Sequence, residues 1–232
     1  MNRQTLMRLQ VRALFTHDSA GRLLRVNEPD DKEAPRFFLG RTPDGNEWRF
    51  RHDLDQLTVS KLESLCADVP AGIDRAAPLS DIERFSTVLN AQTPVQRVWC
   101  GPAYHFASID TAMNAAVVRI TRANSETLRA NFSDWLDAVE AGRLLVGFVE
   151  NGHAVSICCS VRVTAGAHEA GIETAPEHRG KGRGKAVVAA WAKVVNELGA
   201  IPLYSTSWDN LESLALAASL GLVQFGSNLH FS

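Results

Sequence analysis

The chain reads as an α/β (α+β) protein: a mixed, mostly antiparallel sheet flanked by helices, preceded by a small α+β unit. Three observations predict it. From about residue 110 the apolar periodicity runs β-α-α-β-β-β-α-β-α-β. A meander thus hands over to two β-α steps, the pattern of a sheet with helices on its faces. Leu144–Glu150 and Val155–Val163 flank the turn Asn151-Gly152, a strong hairpin signal. The 232 residues are 45% hydrophobic and 22% charged, which supports a buried core and excludes wholesale disorder. At roughly 150 residues per domain the length suits one to two domains. The patterns divide at 1–108 and 109–232.

Taken in order, Met1–Phe15 has helical spacing, with Leu6, Leu9, Ala13 and Leu14 on one face. Arg22–Val26, Arg36–Leu39 and Glu47–Phe50 are strand-like, punctuated by Pro29-Asp30-Asp31 and Pro43-Asp44-Gly45-Asn46. Leu54–Ala67 reads as a helix and Asp68–Pro78 as a polar link. Ser80 is placed to cap a helix through Asn90, with Glu83 completing a capping box. Val95–Phe106 closes the first half as a strand. In the second half Ala116–Ile120 is a short strand. Asn124 or Ser125 is placed to cap a helix, and Ser133–Ala141 suggests another. After the hairpin come the strand Glu169–Thr174, the long helix Gly182–Leu198 and the strand Ile201–Thr206. The helix Asp209–Leu220 and one or two strands over Val223–Phe231 complete the chain. The long helix carries a stripe of Val187, Trp191, Val194 and Leu198, and Gly199 sits where a glycine ends a helix.

Charge and composition exclude several functions. Lys plus Arg number 24 and Asp plus Glu 26, a net charge of −2, which argues against a general nucleic-acid binder. No apolar run approaches the ~18 residues of a membrane span. Met1-Asn2-Arg3-Gln4 lacks a signal-peptide apolar region. Four cysteines are too few for a disulfide scaffold, so the chain reads as cytoplasmic with reduced thiols. Cys158 and Cys159 are neighbours on a strand and point to opposite faces, which suits core packing better than one metal site. No metal is expected.

The strongest local signal is His178-Arg179-Gly180-Lys181-Gly182-Arg183-Gly184-Lys185, following a strand and opening a helix. Glycines let the backbone turn its N–H groups inward, and the helix start adds unpaired donors and partial positive charge. This is a diphosphate cradle. A Walker A loop fails because Arg179 stands at the first glycine and Ala186 at the hydroxyl. A dinucleotide fingerprint fails because its last glycine falls on Lys185 or Val187. The pattern Gln/Arg-x-x-Gly-x-Gly/Ala fits Arg179, Gly182 and Gly184. Here the sequence resembles the GNAT N-acetyltransferase superfamily. Gly171-Ile172-Glu173-Thr174 followed by Pro176-Glu177 resembles its fourth strand. Tyr204–Ser213 followed by Leu220-Gly221-Leu222 resembles its fifth strand and the Asn-x-x-Ser segment after it. The resemblance covers roughly residues 115–232.

The resemblance implies an N-acetyltransferase that moves an acetyl group from acetyl-CoA to a primary amine of a small molecule or protein. It implies that Ile172, Glu173 and Thr174 pair through their backbone with the pantetheine arm. It further implies that Arg179, Gly180, Lys181, Gly182, Arg183 and Gly184 bind the pyrophosphate, and that Asn210 and Ser213 contact the coenzyme. Asn210 is equally placed to cap a helix. A backbone N–H near Thr174 is the expected oxyanion donor. Strand alternation sets Glu169, Gly171 and Glu173 on one face, away from the apolar side. Glu173 is the preferred catalytic base and Glu169 the second, with surface charges the competing account. His168 and His178 read as exposed loop-end histidines.

Many family members carry a Tyr acid four residues after the Ser of the last helix; here that position is Ala217. A thiolate leaving group tolerates the loss. Tyr204, Ser213 and water are the candidates for the acid. The competing function is a non-catalytic acyl-CoA-binding module. Trp208 is placed to line the acetyl or substrate pocket or to fill the core. Trp99, Tyr104 and His105 are better placed as core aromatics than as an acceptor site. The first half is open to three roles: a lid, a dimerisation unit giving a homodimer, or a degenerate copy of the transferase half.

Overall fold

The computed structural model describes residues 1–73, 79–108 and 115–232. The end of the expected link (74–78) and the expected start of the second unit (109–114) lie outside them. The helices are α1 (Arg3–Leu14), α2 (Gln56–Asp68), α3 (Leu79–Asn90), α4 (Leu136–Glu140), α5 (Arg183–Glu197) and α6 (Leu211–Ser219). The strands are β1 (Phe15–His17), β2 (Leu23–Val26), β3 (Phe37–Arg41), β4 (Glu47–Phe50), β5 (Val98–His105) and β6 (Val117–Ile120). They continue with β7 (Leu145–Glu150), β8 (His153–Val163), β9 (Ala167–Thr174), β10 (Ile201–Ser205) and β11 (Val223–Phe231).

These elements form two compact units that do not follow the linear order. The first comprises Met1–His105, Ser205–Leu214 and Val223–Ser232; the second comprises Phe106–Tyr204 and Ala215–Leu222. In the first, β1 and β2 form a ribbon, and the strand order is β4-β3-β11-β5. The C-terminal β11 lies antiparallel between β3 (Leu229↔Leu39, Phe231↔Phe37) and β5 (Phe231↔Val98). Its Leu229 and Phe231 join Phe37, Phe50, Leu62 and Phe85 in one core under α2 and α3. Asn2 caps α1 by accepting from Thr5 N at 2.8 Å, and Asp55 caps α2 through Thr58 N at 2.8 Å. α3 begins at Leu79, so Ser80 stands in its first turn and not at the cap expected for it.

In the second unit the strand order is β10-β9-β8-β7-β6. Within the two units every described strand pairing is antiparallel except that of β9 with β10. The Asn151-Gly152 hairpin is realised between β7 and β8, with Asn151 at φ 51° and Gly152 at φ 82°. α5 lies on one face. Val187, Val188, Trp191 and Val195 are buried with Cys158 and Val146. Leu198, expected on that stripe, is 59% exposed, because α5 ends at Glu197 and Gly199 turns the chain at φ 79°. The other face is covered by 3-10 turns at Ser125–Leu128 and Ser133–Trp135 and by the five-residue α4, over Ile157, Cys159, Leu128 and Phe132. The longer helices expected here do not form. Asn124 spends its carboxamide oxygen on Thr121 N at 2.7 Å, a local bond that competes with helix.

Cys158 and Cys159 therefore face two separate cores. Burial pushes the Cys158 thiol well up and that of Cys159 up to about 12. No helix of the described residues is long and apolar enough to cross a membrane.

Candidate active site

β9 has one edge on β8 and the other on β10, and the second edge is only half used. The parallel pairing with β10 covers Ala167, His168 and Glu169, opposite Ile201, Pro202 and Leu203, and stops there. From Ala170 to Thr174 β9 pairs only with β8 among the described residues. The register shows which backbone groups face the open side. Ala175 N donates to Val155 O at 3.0 Å, so the adjacent pair Ser156↔Thr174 is a non-hydrogen-bonded one. Alternation then turns the N–H and C=O groups of Thr174 and Ile172 away from β8 toward the open side. Those of Glu173 and Gly171 are spent on β8. Thr174 O accepts from Arg179 Nε at 3.3 Å. An extended chain could add itself to this edge as a strand does.

The edge ends beside the glycine loop. Pro176–His178 forms a 3-10 turn, Arg179 is extended, and Gly180 and Gly182 take φ 69° and 77°, the left-handed region. Gly182 opens α5 with no side-chain cap on the helix start. The first intrahelical bond is Ala186 N to Gly182 O at 3.1 Å, so the N–H groups of Arg183, Gly184 and Lys185 precede the helical ladder. Together with the helix dipole they make an anion site. Gly184 comes so close to β9 that a Cβ there would lie 3.4 Å from Thr174 Oγ1.

The four loop cations differ in their partners. Arg183 is tied to Glu150 at the end of β7 by bonds of 2.9 and 2.7 Å. Lys185 Nζ donates to Ser219 O, the last residue of α6, at 2.6 Å. Arg179 lies along the Thr174 carbonyl, and Lys181 is exposed.

On the face of β9 opposite α5, Glu173 is exposed, and its Oε2 accepts from Trp135 Nε1 at 2.8 Å. Glu169 is 2% exposed, so it is a buried group and not a surface charge. His168 lies within β9, not in a loop, because the strand starts at Ala167. Its Nδ1 is 2.8 Å from Ser160 Oγ, which also accepts from Trp191 Nε1 at 2.9 Å. Burial and then the Arg143 charge hold the His168 ring below its ordinary value. His178 is part-buried, 3.2 Å from Glu150. In α6, Asn210 Oδ1 accepts from Ser213 N at 3.0 Å, a helix-capping bond. Ala217 is 1% exposed and Tyr204 2%. In the first unit Trp99 and His105 are half-buried, Trp99 packing on His230 and His105 on Phe225. A cavity of about 310 Å³ lined by Arg119, Ile120, Val139 and Arg143 opens along β6, three strands from β9.

Among the described residues no group of three or more His, Cys, Asp or Glu is gathered to hold a metal ion. The contacts that sequence could not reveal are Trp135 on Glu173 and Glu150 on Arg183, separations of 38 and 33 residues with no motif to link them.

Residues 76–227 match the family model of the GNAT acetyltransferases. That is more than half of the chain, and the chain belongs to this family. The match begins well before residue 115. Similar solved structures include a GCN5-related N-acetyltransferase-like protein from Streptococcus suis, 18% identical, covering 88% of this chain and 86% of that one at a TM-score of 0.49. A GNAT-family acetyltransferase from Colwellia psychrerythraea is 13% identical over 83% and 80% at 0.48. A GNAT-family protein from Novosphingobium aromaticivorans is 15% identical at 0.49, where the match covers 59% of this chain and 65% of that one. No curated protein matches the sequence.

Proposed function

We propose that the protein is an acetyltransferase that moves the acetyl group of acetyl-CoA to a primary amine of a small molecule or protein. One observation carries this: the edge of β9 left unpaired beyond Glu169 runs into an amide-lined loop at the start of α5. The residues Arg179–Gly184 hold the diphosphate, the amides from Gly180 onward facing it. The outward groups of Ile172 hold the pantetheine arm, and the Thr174 N–H faces the developing oxyanion. The coenzyme supplies the thioester to be attacked.

Glu173 is the catalytic base in this proposal. Trp135 holds one carboxylate oxygen, and Oε1 is left to take the ammonium proton, directly or through water. Attack by the neutral amine forms the C–N bond, the C–S bond breaks, and the thiolate leaves with a proton relayed by water. Glu169, the second candidate, is buried and fits a structural charge better. Asn210 and Ser213 stand at the start of α6 as coenzyme contacts in addition to the cap.

Ala217, where many relatives have a tyrosine acid, favours a second reading: a module that binds acyl-CoA without turning it over. Calorimetry with CoA and turnover of acetyl-CoA over a panel of primary amines separate the two. Turnover that Glu173→Gln lowers about a hundredfold or more supports the enzyme, the usual scale for a general base. Binding without turnover supports the module, and no CoA binding overturns both.

A further inference from the structure

We infer that Glu150, at the end of β7, is a positioning residue for coenzyme binding: through Arg183 it braces the glycine loop and thereby sets which way the loop amides point. The inference rests on the loop being the diphosphate site. By sequence Arg183 counts as one more cation for the phosphates, but its contacts give it another role. Its Nε and Nη2 both donate to Glu150 Oε1, at 2.9 and 2.7 Å. Its Nη1 donates back to the Lys181 carbonyl at 3.1 Å, and its guanidinium carbon sits 5.7 Å from the centre of the Phe148 ring. With these donors committed, Arg183 is a strut between β7 and the loop.

Peptide planarity gives the strut its consequence. The Lys181 carbonyl is drawn toward Arg183, so the Gly182 N–H of the same trans peptide points the opposite way. A carbonyl that would repel a phosphate is turned aside, and an amide is presented in its place. Little else fixes this peptide. Gly180 and Gly182 are both left-handed, and a Cβ added to either would meet nothing within 4 Å, so packing does not select their conformation. At the other end of the loop His178 Nδ1 lies 3.2 Å from Glu150 Oε2. The same carboxylate thus holds the residue after Gly182 and lies beside the residue before Arg179.

The test is calorimetric titration with CoA and with pantetheine, which lacks the diphosphate, on Glu150→Ala, Arg183→Met and the double variant. Melting temperatures serve as the folding control. The expected result is CoA affinity about tenfold lower in each single variant, the scale of a lost charge-assisted contact, with pantetheine affinity unchanged. The double variant is no weaker than either single, because both remove one strut. If Glu150→Ala leaves CoA affinity unchanged or raises it while Arg183→Met lowers it, Arg183 is a direct phosphate ligand and the inference fails. Equal losses for CoA and pantetheine reduce Glu150 to a structural residue and also overturn it. A wild-type chain that binds no CoA overturns the reading of the loop itself, a result distinct from both.

Discussion

At the scale of single residues, the proposed base and its support were unequally legible. Glu173 was readable because strand alternation puts it on the face away from α5, and the structure leaves it exposed there. Its partner was not. Trp135 comes from a 3-10 turn 38 residues earlier, and no periodicity joins a turn to a strand across that distance. The indole N–H fixes one oxygen of the carboxylate. Trp135→Phe keeps a ring against the core that includes Phe132 but deletes that donor. The expected outcome is a kcat reduced about tenfold with the KM for acetyl-CoA unchanged, since a neutral-to-charged hydrogen bond is worth ~1.5–3 kcal/mol. Steady-state kinetics on the variant, beside Glu173→Gln, check it. If Glu173→Gln is inactive and Trp135→Phe is fully active, the indole has no part in positioning.

At the scale of elements, sequence legibility tracked the strength of the local code. The hairpin, α5 and the loop before it were readable because each carries punctuation that only one backbone satisfies: Asn-Gly at the turn, left-handed glycines at the helix start, Gly199 at its end. The segment 124–141 lacks such a code. Its Asn124 and Ser125 side chains bond backbone groups locally, and the two helices expected there resolve into two 3-10 turns and a short α4. The half-used edge of β9 was not legible either, because where a parallel ladder stops depends on the path of β10 and not on the composition of β9. The loop offers a test at this scale. Gly182 is left-handed at φ 77° with open space where a Cβ would go, so Gly182→Ala introduces backbone strain alone, of about 1–2 kcal/mol. If the chain relieves it by leaving the left-handed region, the amides turn away. CoA affinity falls roughly tenfold while the fold, followed by circular dichroism, is kept. Unchanged CoA affinity in a folded Gly182→Ala protein would show that the diphosphate does not use this turn.

At the scale of the whole chain, the division of the sequence at 108/109 and the division into compact units run differently, because β11 completes the first unit from the far end of the chain. Adjacent strands are usually close in sequence, and here a long-range pairing takes the central position, between β3 and β5. Deleting Val223–Ser232 removes Leu229 and Phe231 from the core around Phe37 and Phe85 and leaves two strand edges bare. The truncated chain is expected to be insoluble or to lose the cooperative melting of the full chain; a soluble protein with unchanged melting would contradict this. The pH response is also a property of the whole chain, drawing one histidine from each unit. Burial first, then Arg49 and Arg12, holds His17 below 6.5; burial first, then Arg143, does the same for His168. Each is neutral when folded at a pH where the unfolded chain already carries a proton. The unfolded state then binds more protons, so stability rises with pH across that window. The contribution is complete above 6.5 and is lost as pH falls from 6.5 through the folded values. Melting temperature measured from pH 8 down to 5.5 should hold steady and then decline. His168→Gln, which keeps a polar group toward Ser160, should make the decline shallower, and a wild-type curve flat across that range would show that neither ring is held neutral by its burial.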